Sequence, residues 1–142
     1  METTTKLECI SLITQGEFTC VIYKDGVTHC YSEPGVRTLF TLLKTNPSLL
    51  EGSYVFDKII GKGAAALMIT GHVAHIWGDY ISEGALKLLS ENNLEPEYQH
   101  LVPVIENRDR TGMCPIEKLC MPLATPQECY QNIESFLRNK PK

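Results

Sequence analysis

The chain has 142 residues, 43% hydrophobic and 21% charged, with a formal net charge of −4. These values suit one soluble globular domain over residues 1–142, long enough to bury a substantial core. A net acidic chain has no electrostatic grip on a phosphate backbone, so a nucleic-acid partner is not expected.

The opening METTTKLECI lacks the basic-then-apolar order of a secretory signal, and no apolar run approaches the roughly 20 residues that span a bilayer. Cysteines stand at 9, 20, 30, 114, 120 and 129. Their loose spacing in a chain of this size reads as reduced thiols in a cytoplasmic protein rather than a disulfide framework.

Leu7, Ile10 and Ile13 follow helical spacing over residues 3–14, with Gly16 as the stop. FTCVIYK and VTHCYS flank Asp25-Gly26, a pair that accepts the positive φ of a two-residue hairpin turn. Pro34, after Ser32 or Glu33 as cap, is expected to open a helix with Val36, Leu39, Phe40 and Leu43 on one face. Asn46-Pro47 should end it, because a residue before proline avoids the helical region.

Residues 54–60 form an apolar strand that runs through Gly61-Lys62-Gly63 into a short helix over 64–68. A second strand over 73–80 runs to Ser82, an N-cap for a helix over 83–92. A further strand over 99–105 contains Pro103, which cannot donate to a ladder and so places the strand at a sheet edge. After the polar turn 107–112, Cys114-Pro115-Ile116-Glu117 has the order of a capped helix start. Thr125-Pro126-Gln127-Glu128 repeats it, ahead of a helix that lines up Cys129, Ile133, Phe136 and Leu137. The expected fold is a three-layer αβα domain on a mixed sheet of about five strands, with right-handed crossovers.

Ligands in such sheets bind beyond the carboxyl ends of the parallel strands, here 61–63 and 81–83. Gly61-x-Gly63-x-x-Ala66 fits a dinucleotide fingerprint, with Asp79 near the end of the next strand. The second half of a dinucleotide fold is missing, however, and the alanines are explained by a helix lying close on the sheet. Lys62 is followed by Gly63 rather than Ser or Thr, so there is no Walker A loop. A hairpin followed by two strand-to-helix corners also resembles the cytidine-deaminase fold, whose active members carry H-x-E and P-C-x-x-C at successive helix starts. Neither corner here contains Cys or His, and Glu83 is the one carboxylate at these starts, too little to hold a catalytic zinc. No metal or cofactor is expected.

DKIIGKGAAALM, the ISEGAL helix start and IENRDRTGMCPIEK together resemble the uncharacterised prokaryotic family catalogued as domain of unknown function 1893, over residues 18–136. The carrying motifs are Asp57-Lys58, Gly61-Lys62, alanines 64–66, Ser82-Glu83, Asn107-Arg108, and Cys114-Pro115 with Glu117. The resemblance implies a cytidine-deaminase-like fold lacking the zinc ligands, and brings no reaction with it. Gly63 stands where alanine is expected and loosens the helix start; Gly84 stands where proline is expected.

Two site hypotheses follow. Helix N-termini at the corners, with Lys58, Lys62, Gly63, Ala64, Ser82, Glu83, Asn107, Arg108 and Glu117 as candidates, would hold a nucleotide or another small anion. The competing reading makes Asp57-Lys58 a solvated or structural pair and Lys62 an exposed turn residue. Alternatively, Cys114 at a helix start near Arg108 and Arg110 has the surroundings of an activated thiol, against a purely structural reading. The favoured expectation is a catalytically silent small-ligand binder, or a chain that assembles with itself as a homo-oligomer; the alternative is a thiol-dependent enzyme or redox protein using Cys114.

Overall fold

The structure, a computed structural model, describes residues 1–107 and 111–139. Helix α1 (Thr3–Thr14) precedes a hairpin of β1 (Cys20–Lys24) and β2 (Val27–Tyr31). Then follow α2 (Gly35–Thr45), α3 (Pro47–Leu50), β3 (Tyr54–Ile60), α4 (Lys62–Thr70), β4 (His75–Ser82), α5 (Glu83–Glu91) and β5 (Glu97–Val102). Helices α6 (Pro115–Cys120) and α7 (Pro126–Asn139) end the described chain. The five strands make one mixed sheet in the order β2-β1-β3-β4-β5, antiparallel through the hairpin and β1–β3, parallel from β3 to β5.

Local chemistry accounts for most boundaries. Asp25 and Gly26 both take positive φ (50° and 80°), as a tight hairpin requires. Thr125 and Glu128 form a reciprocal capping box at the start of α7, each side chain accepting from the other's backbone N–H at 3.2 Å. β5 lies at the sheet edge, and Pro103 falls just past its end.

Several expectations need correcting. Pro34 is extended (ψ 139°) and precedes α2, and neither Ser32 nor Glu33 caps it; Thr19 Oγ1 instead donates to the Glu33 carbonyl. Asn46 does end α2, but Pro47, well suited to a first helical position, immediately starts the short α3. β4 begins two residues late because Val73 and Ala74 turn back to bond the Met68 and Ser53 carbonyls. The strand expected over 99–105 lies over Glu97–Val102.

Helices cover both faces, unequally. On one face α1 brings Cys9 and Ile13 onto Val21, Phe56 and Trp77. On the other, α2, α4 and α5 close over Cys20, Ile22, Val55, Ile76 and Ile81. Helix α4 is buried at every position from Gly63 to Met68, because α6 and α7 pack on the side of it that would otherwise meet solvent. Small side chains are therefore needed on two sides of this helix. A methyl group at Gly63 would stand 2.5 Å from Ile116 Cγ2 and 3.2 Å from Ile133 Cδ1. The glycine does not loosen the helix start; it lets α6 and α7 close on it.

Candidate functional site

The two corners lie side by side at the carboxyl ends of β3 and β4. A Cβ at Gly84, in the first turn of α5, would stand 3.7 Å from Lys62 Cδ, so the lysine stem runs along that turn. The corners differ in how their free backbone donors are met.

At the start of α4 the partner is internal. Glu117 is buried, and its Oε1 accepts from Lys62 N at 2.8 Å while its Oε2 accepts from Ile105 N at 2.7 Å. One carboxylate thus joins α4, the segment after β5 and α6. A carboxylate at a helix N-terminus is favoured by both the free N–H groups and the dipole. The capping role expected of Glu117 within its own helix is not taken up: Cys114 N donates to the Ile105 carbonyl at 2.8 Å instead. Lys62 Nζ donates to the Met121 carbonyl at 2.9 Å and to that of Leu123, which holds the 121–124 loop against the corner.

At the start of α5, Ser82 Oγ accepts from Ala85 N at 3.2 Å, and Glu83 is exposed. Beside this turn a cleft of about 300 Å³ opens between α5 and the 121–124 loop. Lys62, Gly84, Lys87, Glu91 and Leu123 are among its walls. Its charged walls are thus two lysines, Lys62 and Lys87, and one carboxylate, Glu91. Lys87 was missed because it sits mid-helix, where a lysine normally reads as a solvated face.

The other candidates are placed as follows. Gly63 and Ala64 are buried beneath α6 and α7. Lys58 is exposed, while Asp57 beside it is 1% exposed, so the two are not a solvated pair. Asn107 closes its own loop, its Oδ1 accepting from Thr111 N at 3.0 Å and its Nδ2 donating to Thr111 Oγ1 at 3.1 Å. Arg108 and Arg110 lie outside the described residues. Cys114 is half-buried at the start of α6 and its thiol makes no capping bond. Two histidines are engaged on the sheet, His75 against Tyr54 and His100 against Tyr80. Among the described residues no three of His, Cys, Asp and Glu come together as metal ligands, and no helix is long and apolar enough to cross a membrane.

Asp57 is the most perturbed carboxylate. It lies in the middle of β3, opposite Cys20, with its carboxyl group against Gly35 at the start of α2; a Cβ there would meet Oδ1 at 2.7 Å. Ile59 N reaches Oδ1 only at 3.4 Å, and buried Oδ2 has no partner among the described residues. Burial pushes its pKa up to about 7, partly offset by the backbone N–H groups of Ile59 and Lys58. An acid inside the apolar run YVFDKII was the signal available in the sequence.

The model of a family described as domain of unknown function (DUF1893) matches residues 8–137. No curated protein matches the chain. The crystal structure of a DUF1893 family protein from Thermotoga maritima is similar at 27% identity and a TM-score of 0.84, covering 96% of this chain and 92% of that one.

Proposed function

The chain belongs to the DUF1893 family, and from that premise we propose that it binds a small anionic molecule, a nucleotide or simpler phosphate, without deaminating it. The observation that carries this reading is the cleft beside the first turn of α5, where Lys62 and Lys87 line a space of about 300 Å³. Its Lys62 and Gly84 walls lie at the carboxyl ends of β3 and β4, where open α/β sheets take ligands. The element order is compatible with a cytidine-deaminase-like arrangement. Both helix starts lack the Cys and His donors that a zinc-activated water needs, so the proposed role is binding alone.

Within the site, Lys87 would meet the anion directly. Lys62 would add charge while holding the 121–124 loop, and Ser82 and Glu83 would fix the turn. Isothermal calorimetry with inorganic phosphate, nucleosides and nucleotides tests this. Saturable heat with the phosphorylated ligands, weakened about 10–100-fold by Lys87→Ala, is expected, since a charge-assisted hydrogen bond contributes about 1.5–3 kcal/mol. No heat from any of them at millimolar concentration rejects the reading.

Self-association is a second reading with its own observation. Ile59, Tyr80 and His100 are register neighbours across β3, β4 and β5 and share a face; Ile59 is 44% and Tyr80 40% exposed. A second copy laid on this face would cover them. Sedimentation of the wild type as an oligomer, and of Tyr80→Glu as a monomer, supports this; a wild-type monomer at high concentration rejects it.

A further inference from the structure

A second cleft, of about 640 Å³, opens at the opposite end of α4 from Lys62. Ile69, Val73 and Leu94 give it apolar walls, and His72, Asn92 and Gln127 give it polar ones. Its volume lies within the range of small-molecule sites, about 300–1,000 Å³. Among the described residues no Lys, Arg, Asp or Glu lines it, in contrast to the first cleft.

The two clefts are built on the same two walls. Gly84, Lys87, Leu88 and Glu91 have the spacing of one helix face, and all four line the first cleft. Asn92, four residues after Leu88, carries that stripe into the second. Opposite, residues 121–124 close the first cleft and Gln127, just beyond them, closes the second. Along this stripe the chemistry runs from ammonium at Lys87 to carboxylate at Glu91 to neutral amide at Asn92. From Lys87 to Asn92 the chain advances about 7.5 Å, a span that a mononucleotide bridges from phosphate to base.

Two details mark the neutral end as a place for a ligand. Asn92 Nδ2 donates to the Leu88 carbonyl at 2.8 Å, which leaves Oδ1 without a partner among the described residues. His72 is exposed with φ 59°, a conformation that favours glycine. Its backbone is pinned there, the N–H donating to the Ile69 carbonyl at 3.1 Å and the carbonyl accepting from Gly52 N at 2.9 Å. Glycine would make the same turn with less strain, so the turn alone does not account for the imidazole.

We propose that the two clefts form one nucleotide site, with the uncharged base seated in the second. The phosphate half rests on the anion reading of the first cleft; the base seat rests on its own walls. The ring packs against Ile69 and Leu94, its amide-like edge bonds Asn92 and Gln127, and the His72 imidazole lies against it. Glu91, between the two ends, accepts from the ribose hydroxyls, and Lys87 meets the phosphate. The ligand class is therefore a nucleoside phosphate rather than inorganic phosphate alone.

Amide ¹⁵N–¹H titrations of the full chain with inorganic phosphate, the common ribonucleosides and their 5′-monophosphates test the site. Phosphate is expected to shift Gly84 and Lys87, a nucleoside to shift His72, Asn92 and Gln127, and a monophosphate to shift both sets. His72→Gly, which relieves the backbone, should melt no lower than the wild type and bind the monophosphate about tenfold more weakly, with phosphate affinity unchanged. Gln127→Ala, at an exposed position on the other wall, should give the same selective loss. Silence at His72, Asn92 and Gln127 with every probe, or full monophosphate affinity in both variants, overturns the proposal whatever phosphate does. Nucleoside shifts at those three residues with no response to phosphate reject the anion reading of the first cleft and leave the base seat in place.

Discussion

The starts of α4 and α2 each hold a buried carboxylate, and the two are treated in opposite ways. Glu117 gives one oxygen to Lys62 N and the other to Ile105 N, both within 2.8 Å. Asp57 is met only by backbone N–H groups of Ile59, at 3.4 Å, and Lys58, and one of its oxygens has no partner among the described residues. The same functional group therefore seals one helix start and stands nearly uncompensated at the other. Burial costs little where hydrogen bonds replace water, and shifts the proton equilibrium where they do not. The sealed start leaves α4 little call on an outside anion, which is why the proposed anion site is set at the turn of α5.

The largest effect expected from breaking this contrast is at Glu117. Glu117→Ala leaves the buried Ile105 N–H and the half-buried Lys62 N–H without acceptors and should lower stability by about 2–4 kcal/mol in urea titration. A loss below about 1 kcal/mol would mean that the carboxylate is not the link between α4, α6 and the segment after β5.

Asp57 sharpens the contrast through pH. Its folded pKa is raised from 3.8 to about 7, so across that window the folded chain keeps a proton that the unfolded chain has released. This group therefore contributes stability at low pH that is lost as pH rises to about 7, by about 2–4 kcal/mol, and is flat above. Asp57→Asn should remove that slope; equal slopes in the two proteins would show that the carboxyl is ionised throughout.

A smaller effect is expected at Gly63. Alanine gains helix propensity but meets Ile116 and Ile133, and overpacking should prevail by about 1–2 kcal/mol. A more stable Gly63→Ala variant by thermal melting would mean that α6 and α7 are held less closely than described. Thr125→Ala removes one side of the capping box and should cost about 1 kcal/mol, the least of the four.

Legibility followed the range of the interactions. The Asp25-Gly26 turn, the Thr125–Glu128 box and the Ser82 cap are local, and their residues announce them within four positions. The apolar strands follow from their hydrophobic runs, whereas β5 is an edge strand although Pro103, the residue expected to put it there, lies just beyond it. What stayed hidden depends on contacts far along the chain. Glu117 looked like a cap for its own helix because nothing nearby reveals its bond to Lys62, 55 positions earlier. Gly63 looked like a weakness because the helices that need its missing side chain come more than 50 positions later.

The most direct measurement is a phosphate titration followed by amide ¹⁵N–¹H spectra at neutral pH. The expected result is saturable shifts at Gly84, Lys87 and Leu123, while the Lys62 and Ile105 amides stay slow to exchange and nearly unmoved. Shifts centred on Lys62 and Gly63, with rapid exchange at Lys62, would show that Glu117 does not seal the start of α4 and would place the anion there instead.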